Sequence, residues 1–379
     1  MDLRRHASAA RDRLAIVCGA EQLSYGALET MANRMAAALR SRGLRRGDHV
    51  ASLIGNRPEA LALAWAAWRS GLYLTPMSTA LSVPELRYLI DDCDARGVLV
   101  DVDCAASIAA LNWPAAVQRL SLRGAIAGFV DLQREIDAAS PSPAAEEPPG
   151  ALMMYTSGTT GAPKGVHRAL LPADWRGTPP FAADLIALFG VGGGDVRYLS
   201  TAPLYHAAPL RTALAVTAGG GTVFVMDRFD ADAALALLEH QRITHSQWVP
   251  AMFQRMLALP AERRHAFSAP AHRCAIHGAA PCPPELKRAM IDWWGPILLE
   301  YYSGSEGIGL TLIDSHEALA HPGSVGRACK GTLHIADESG QALPPGATGL
   351  VCFSGVAPFA YHKAPEKTAQ RTLPQGWTT

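Results

Sequence analysis

The chain has 379 residues, enough for two or three domains around a large buried core. Its 34 basic and 34 acidic residues cancel, which argues against nucleic-acid wrapping or electrostatic docking to membranes, since both need a basic excess. Hydrophobic residues at 49% and charged residues at 18% exclude a disordered chain.

Five lysines against 29 arginines, in an alanine-rich chain, read as codon bias rather than chemistry. Seven cysteines at 18, 93, 104, 274, 282, 329 and 352 are scattered without a CxxC pair, which predicts reduced thiols and a cytoplasmic location. Residues 1–17 lack an apolar h-region and so do not read as a signal peptide. The most apolar stretch, 60–68, stops at Arg69, far short of the ~20 residues of a transmembrane helix.

Along the chain, 24–42 reads as an amphipathic helix with Ser24 as its N-cap. Leu28, Met31, Met35 and Leu39 recur at three- and four-residue spacing, and Gly43 follows as a stop. Residues 49–54 read as a short apolar strand, Pro58 opens a helix running to Gly71, Ser82 and Pro84 start a third, and 98–100 is again a strand. This alternation predicts βαβ units and a parallel sheet. Four prolines and two acids mark 140–150 as a linker or surface loop.

The alternation then resumes. Strands are predicted at 152–156, 196–201, 222–226, 246–249, 273–277 and 297–302, with helices at 230–241 and 284–293 among those between. From about Gly323, turn clusters separate short strands at 332–336 and 349–353, a small β-rich subdomain. The predicted domains are therefore 1–322, an α/β core, and 323–379.

The strongest local signal is Tyr155-Thr-Ser-Gly-Thr-Thr-Gly-Ala-Pro-Lys-Gly165, where an apolar strand runs into a loop rich in hydroxyls and glycines with one lysine. Glycines let a backbone approach a ligand closely, amides and hydroxyls donate to phosphate oxygens, and Lys164 adds a positive charge. A nucleotide-phosphate loop is the reading. It is not a Walker A loop, which would need Gly at 163 and Ser or Thr at 165. The run 190–195 nearly matches GxGxxG, but Asp195 ends it and no strand leads in, so a turn is expected.

A second constellation, Glu300-Tyr-Tyr-Ser-Gly-Ser-Glu-Gly307, follows a predicted strand and so belongs at the C-terminal edge of a parallel sheet, where ligands bind. Glu306 there suits a divalent cation and Tyr302 a stacked base; the plain alternative is an edge turn with a solvated glutamate. His272, Cys274, His277 and Cys282 are close enough in sequence for zinc, but the offset from Cys274 to His277 puts them on opposite faces of a strand. His206, in the apolar loop Ala202-Pro-Leu-Tyr-His-Ala-Ala-Pro209, reads either as a satisfied core histidine or as a pocket-lining one. Neither HExxH nor GxSxG is present, which argues against a zincin or a serine hydrolase.

With these motifs in hand, the chain resembles the adenylate-forming superfamily of acyl-CoA synthetases, peptide-synthetase adenylation domains and firefly luciferase. Residues 155–165 match its phosphate-loop signature YTSGTTGxPKG at every fixed position. Tyr302-Ser-Gly-Ser-Glu306 matches Y-G-x-T-E with Ser303 in place of Gly and Ser305 in place of Thr. Gly278-Ala-Ala-Pro281 looks like the strand edge that contacts adenine. The stretches 244–250, 359–368 and 376–379 look closest to bacterial fatty-acyl and related CoA ligases.

The resemblance implies two stacked, mostly parallel α/β sheet subdomains plus a small β-barrel-like one. It implies a reaction of ATP with a carboxylate to give acyl-AMP, followed by thioester formation with coenzyme A. It further implies that Thr156, Ser157, Gly158, Thr159, Thr160, Gly161 and Lys164 cradle ATP phosphates. Glu306 would bind Mg²⁺ with help from Thr159, and Ser305 would contact the α-phosphate. Gly278, Ala279, Ala280, Tyr301, Tyr302 and Ser303 would complete the nucleotide site, and His206, Trp248 and Gly304 would line the acyl pocket. Glu306, Ser305 and Lys164 would be the catalytic residues.

The family pattern continues past Trp377-Thr-Thr379 into a Gly-Asp pair that holds ribose, then a hinge and a small C-terminal domain carrying the lysine that drives adenylation. The sequence ends before these. The expectation is an N-terminal domain that binds nucleotide and carboxylate, adenylates poorly and does not complete the thioester. A hydrophobic acid is expected, because the pocket residues are apolar or aromatic with one histidine and no cation. Fatty, alicyclic, aryl and steroidal acids stay open. So do a carrier-protein thiol in place of coenzyme A, and a non-catalytic nucleotide- or acyl-binding protein on the same fold.

Overall fold

The structure, a computed structural model, describes residues 2–156 and 162–379. The chain forms two compact units. The first comprises Met1–Gly165 and Ala169–Phe229, the second Val166–Arg168 and Asp230–Thr379.

The first unit is built on a six-stranded parallel sheet in the order Val130–Asp131, Gln118–Leu122, Ala95–Asp101, His49–Leu53, Tyr73–Pro76, Ala151–Leu152. All five residues of His49–Leu53 are buried, as a strand covered on both faces requires. The helices beside it follow their sequence cues. Ser24 Oγ accepts from Ala27 N to start Tyr25–Ser41, whose face Leu28, Ala32, Met35, Ala36 and Leu39 is buried. Ser82 and Glu85 form a capping box at the start of Val83–Asp92, with Glu85 Oε2 accepting from Ser82 N at 2.8 Å.

The helix Pro58–Trp68 is apolar on nearly every side and nearly every residue is buried, the pattern of a helix inside the core. Ala207–Gly219 is its counterpart, and Trp65 Nε1 donates to Thr217 Oγ1 at 3.1 Å between them. The first unit also contains four strands in the order Arg197–Ser200, Thr222–Val225, Leu14–Cys18, Glu21–Ser24. The last pairing is antiparallel and the others parallel.

Residues 140–150 form no helix or strand, as the prolines demand, but the loop is pinned where Glu147 is buried against Arg4 at 2.6 Å. A buried ion pair anchors this unit. Glu29 accepts from Arg69 through both oxygens, at 3.0 and 2.9 Å, and Arg69 is fully buried. The expected turn at 190–195 is present: Gly190, at φ 64°, ends the helix Pro180–Phe189 in the left-handed conformation that glycine adopts without strain.

In the second unit His245–Trp248, Cys274–His277 and Leu298–Tyr302 run parallel, and Leu310–Asp314 and Arg327–Lys330 extend the sheet antiparallel. The helices Pro250–Leu257 and Pro284–Trp294 each begin with a proline in the first turn. After Gly323 the structure is β-rich as expected. Thr332–Ala336 and Leu350–Ser354 form a two-stranded antiparallel ribbon, and no closed barrel is seen among the described strands. Val166 and His167 pair antiparallel with Tyr361 and Ala360. Among the described residues no helix is long and apolar enough to cross a membrane.

Candidate active site

In the first unit the strand Met154–Thr156 carries Tyr155 and Thr156 to the start of the phosphate-loop segment, and Lys164–His167 begins at Lys164 on its far side. Ser157, Gly158, Thr159, Thr160 and Gly161 lie outside the described residues. The flanks explain two side chains of the signature. Tyr155 donates to Asp92 Oδ2 at 2.5 Å, and burial together with this bond pushes its pKa up, so the phenol stays protonated. A Cβ on Gly165 would stand 3.0 Å from the Tyr155 ring, so only glycine fits there without displacing the ring. Tyr88 adds a hydrogen bond to the Pro163 carbonyl at 2.9 Å.

His206 stands at the N-terminus of Ala207–Gly219, with its ring 4.7 Å from that of Tyr205. It is exposed, which removes the core-histidine reading. Partial desolvation by the protein around it lowers its pKa, so the ring is neutral at physiological pH. The loop leading to it is anchored by Asn56, which accepts from Leu204 N at 2.7 Å and donates to Met226 O at 2.7 Å.

In the second unit the parallel register sets His277 opposite Glu300, so Gly278 and Tyr301 follow at neighbouring strand ends. The two touch: a Cβ on Gly278 would lie 2.7 Å from the Tyr301 carbonyl oxygen and 2.9 Å from its ring. Ala279 and Ala280 are exposed beyond this contact, and Ala279 adopts φ 68°. Tyr302 is 45% exposed, which leaves a ring face available for stacking. Beneath this edge lies a buried charge pair, Lys287 with Glu300. The fully buried His277 ring is beside it, its Nδ1 4.0 Å from Glu300 Oε1 and both its nitrogens lacking a hydrogen-bond partner. Burial, reinforced by the Lys287 charge, pushes the His277 pKa down to about 3.

The turn after Tyr302 is closed by its own small residues. Ser303 Oγ donates to the Gly309 carbonyl at 2.6 Å, and Gly307, at φ 62°, donates its N–H to Gly304 O at 2.9 Å. Ser305 is half-buried in this turn, and Gly304 is exposed. Glu306 is not a freely solvated edge residue: its Oε1 accepts from the Tyr361 hydroxyl at 2.7 Å, and its main-chain oxygen accepts from Arg168. Tyr361 lies in the family-like stretch 359–368 but was given no role there, and Arg168 carried no motif signal. Only their hydrogen bonds reveal them.

Trp248 is a core residue, 1% exposed. Its indole N–H is spent on Ser246 Oγ at 2.6 Å and its ring packs against Phe253 and Trp294. The same Ser246 hydroxyl meets His272 Nε2 at 2.7 Å, and burial lowers the His272 pKa to about 3. The structure thus gathers Gly278, Ala279, Ala280, Tyr301, Tyr302, Ser303, Gly304, Ser305 and Glu306 at strand ends of the second unit. Thr156, Lys164 and His206 are carried by the first.

Comparison with known proteins gives the family of the chain. A feruloyl-CoA synthase from Amycolatopsis sp is 32% identical, over 98% of this chain and 72% of the relative. The indoleacetate–CoA ligase of Aromatoleum aromaticum is 31% identical, over 98% of this chain and 73% of the relative. The crystal structure of the inhibitor-bound N-terminal domain of FACL13 from Mycobacterium tuberculosis superposes with a TM-score of 0.83 at 26% identity, covering 100% of this chain and 94% of that one. The family model for AMP-binding enzymes matches residues 3–360. The chain belongs to the AMP-binding enzyme family.

Proposed function

We propose that the chain activates a hydrophobic carboxylic acid with ATP to an acyl-adenylate, the first half of an acid–CoA ligase reaction. The observation that carries this is Glu306. It ends a strand–turn motif beside an exposed tyrosine, with its carboxylate held in one orientation by Tyr361. The named relatives, a feruloyl-CoA synthase and an indoleacetate–CoA ligase, act on acids with a large apolar part, which supports the substrate class.

Glu306 fits Mg²⁺. One carboxylate oxygen is occupied by Tyr361, and among the described residues no hydrogen bond is made to the other. Magnesium takes one or two carboxylates together with substrate phosphates rather than an all-protein cage. When bound it would neutralise charge on the phosphates.

The chain's own residues do the rest. Thr156 and Lys164, with Ser157, Gly158, Thr159, Thr160 and Gly161, bind the β- and γ-phosphates, and Ser305 donates to the α-phosphate. Tyr302 stacks on adenine beside Gly278, Ala279 and Ala280, with Tyr301 fixing that edge from behind. His206 and Gly304 border the acyl group, and Trp248 supports the strand end from inside the core.

Held this way, a carboxylate oxygen of the acid bonds to the α-phosphorus as the bond to the bridging oxygen breaks and pyrophosphate leaves. In the family reaction the thiol of coenzyme A then loses its proton and attacks the acyl carbon, releasing AMP; that second half is not assigned to the residues of this chain. We place the enzyme in the cytoplasm, where ATP and coenzyme A are available.

Calorimetric titration with non-hydrolysable acyl-adenylate mimics bearing short, long-chain, aryl and steroidal acyl groups tests the proposal. The nucleotide half is constant, so differences between the ligands report the acyl pocket. Graded binding, tighter than that of AMP alone, is expected, and absence of binding by every mimic would overturn the reading.

A further inference from the structure

The carboxylate of Glu306 is fixed by two elements that are themselves paired. Val166 and His167 pair antiparallel with Tyr361 and Ala360, and each strand of this short ribbon sends one side chain or its successor to Glu306. From the first, Arg168 donates to the Glu306 main-chain oxygen and, through its other terminal nitrogen, to the Ala357 and Pro358 carbonyls at 3.4 and 3.3 Å. From the second, the Tyr361 hydroxyl donates to Glu306 Oε1 at 2.7 Å.

Tyr361 is in turn immobilised. It is 3% exposed, its N–H donates to Thr368 Oγ1 at 2.9 Å, and its ring packs edge-on against Phe359. On the opposite side of the carboxylate, a Cβ on Gly304 would stand 2.9 Å from Oε2. One oxygen is therefore tied to a rigid phenol, and the other lies beside Gly304, where a side chain would crowd it.

We infer that Tyr361 is a positioning residue for Glu306. Its hydroxyl occupies Oε1 so that Oε2 is the oxygen presented to a divalent cation arriving with the nucleotide. Ligating carboxylates need such outer partners, because a freely rotating carboxylate must be ordered each time metal binds, and losing the partner typically costs on the order of 10- to 100-fold in metal affinity. The inference rests on the reading of Glu306 as the magnesium ligand. It adds that the ligand's geometry is set by a residue roughly fifty positions away in sequence, through a hydroxyl that makes no contact with the cation.

The test uses the intact chain and its Tyr361→Phe, Glu306→Gln and double variants. Each is titrated calorimetrically with a non-hydrolysable ATP analogue, once with EDTA and once across a magnesium series, with Mn²⁺ binding followed by its electron paramagnetic resonance signal. Tyr361→Phe keeps the ring and removes only the hydroxyl. The expected result is a loss on the order of tenfold in the magnesium-dependent gain in affinity and a matching loss of Mn²⁺ binding, with metal-free binding unchanged and only a small fall in Tm from the lost hydroxyl. In the Glu306→Gln background, Tyr361→Phe is expected to change nothing further, because its effect passes through the carboxylate.

A full magnesium gain in Tyr361→Phe, with the gain lost in Glu306→Gln, would overturn the positioning role and leave the metal reading standing. A full gain in both would overturn the metal reading and the inference with it. An equal fall of metal-free and metal-dependent binding would show that Tyr361 is merely structural. Gly304→Ala tests the other side of the carboxylate independently. It should also reduce the magnesium gain, and no reduction would show that Oε2 is not the presented oxygen.

Discussion

Tyr155 lies against the α-carbon of Gly165, so the two ends of the phosphate-loop segment touch. The ring of Tyr155 sits where a side chain at 165 would begin, 3.0 Å from an added Cβ, and its hydroxyl is bonded to Asp92 at 2.5 Å. The two described flanks of the segment, Met154–Thr156 and Lys164–His167, are thus held together by packing as well as by strand pairing.

Gly165→Ala is therefore expected to destabilise the protein. Replacing a glycine in a strand ordinarily gains about 0.5–1 kcal/mol from the unfolded chain, but here the new methyl must move a ring held by a buried hydrogen bond, an overpacking cost of about 1–3 kcal/mol. The net effect is a lower urea midpoint. Asp92→Ala frees the ring and should reduce the penalty in the double variant. A midpoint at or above wild type for Gly165→Ala alone would show that the ring yields freely.

Glu306→Gln separates the metal from the rest of the site. Binding of ATP with magnesium should weaken, because a neutral amide replaces an anionic ligand, while an acyl-adenylate mimic with an uncharged linker should bind nearly as before. Calorimetry on both ligands checks this. Equal losses would mean that Glu306 does not hold the cation.

The pair of Arg69 and Glu29 predicts both a mutational cost and an acid dependence. Arg69 is fully buried and grips both oxygens of the largely buried Glu29, so Arg69→Leu leaves that carboxylate with only Arg4 and Asn33 and should cost up to about 3 kcal/mol in a denaturant titration. Burial alone would raise the Glu29 pKa, but the charges of Arg69 and Arg4 outweigh it and hold it below the ordinary 4.5. A carboxylate with a depressed folded-state pKa gives stability that is present above pH 4.5 and is lost as pH falls through the folded value. Glu29→Gln should lower stability at pH 7 and flatten that acid limb; an unchanged limb would remove Glu29 from it.

His277 works over a higher pH window. Its folded-state pKa is about 3 against 6.5 for an ordinary histidine, so the unfolded chain binds the proton first and stability falls as pH drops from about 6.5 towards 3. Both ring nitrogens are buried without hydrogen-bond partners. His277→Leu, of similar volume, should hold or raise the midpoint at pH 7, by about 1 kcal/mol, and shrink the difference between pH 8 and pH 5. His272, with the same depressed pKa, should retain part of that slope. A strong loss of stability in His277→Leu at pH 7 would show that the imidazole is satisfied after all.

Local patterns announced most of the α/β elements. The helix predicted at 24–42 is Tyr25–Ser41, with the predicted cap at Ser24, because one hydroxyl and one buried stripe suffice to define it. The strands at 49–54, 246–249 and 332–336 were legible for the same reason: short apolar or alternating runs between turn residues. Leu14–Cys18, Leu310–Asp314 and the helix Ala207–Gly219 carried no comparable signal. Leu14–Cys18 owes its parallel pairing to Thr222–Val225, far away in the chain, Leu310–Asp314 pairs back onto the preceding strand Leu298–Tyr302, and the helix is so apolar all round that its periodicity vanishes.

At the candidate site, Tyr302 and Glu306 share one motif and Gly278 belongs to a second, so the sequence singled all three out. Tyr361 fell in the family-like stretch 359–368 without an assigned role and Arg168 in no motif, since each reaches Glu306 only by a hydrogen bond across long sequence separation. Trp248 shows the converse limit. Its place at a strand end was legible, but an alternating pattern does not distinguish a pocket wall from a core residue whose N–H is already satisfied.

The backbone at Ala279 has one further consequence. A non-glycine residue at φ 68° stores about 1–3 kcal/mol of strain and persists only where its surroundings leave no alternative; here the tight contact of Gly278 with Tyr301 supplies that constraint. The edge proposed to meet adenine is thus shaped during folding rather than on encounter. On that proposal a nucleotide arriving there has little chain left to order, so the ordering cost of binding is met in folding before any ligand is present.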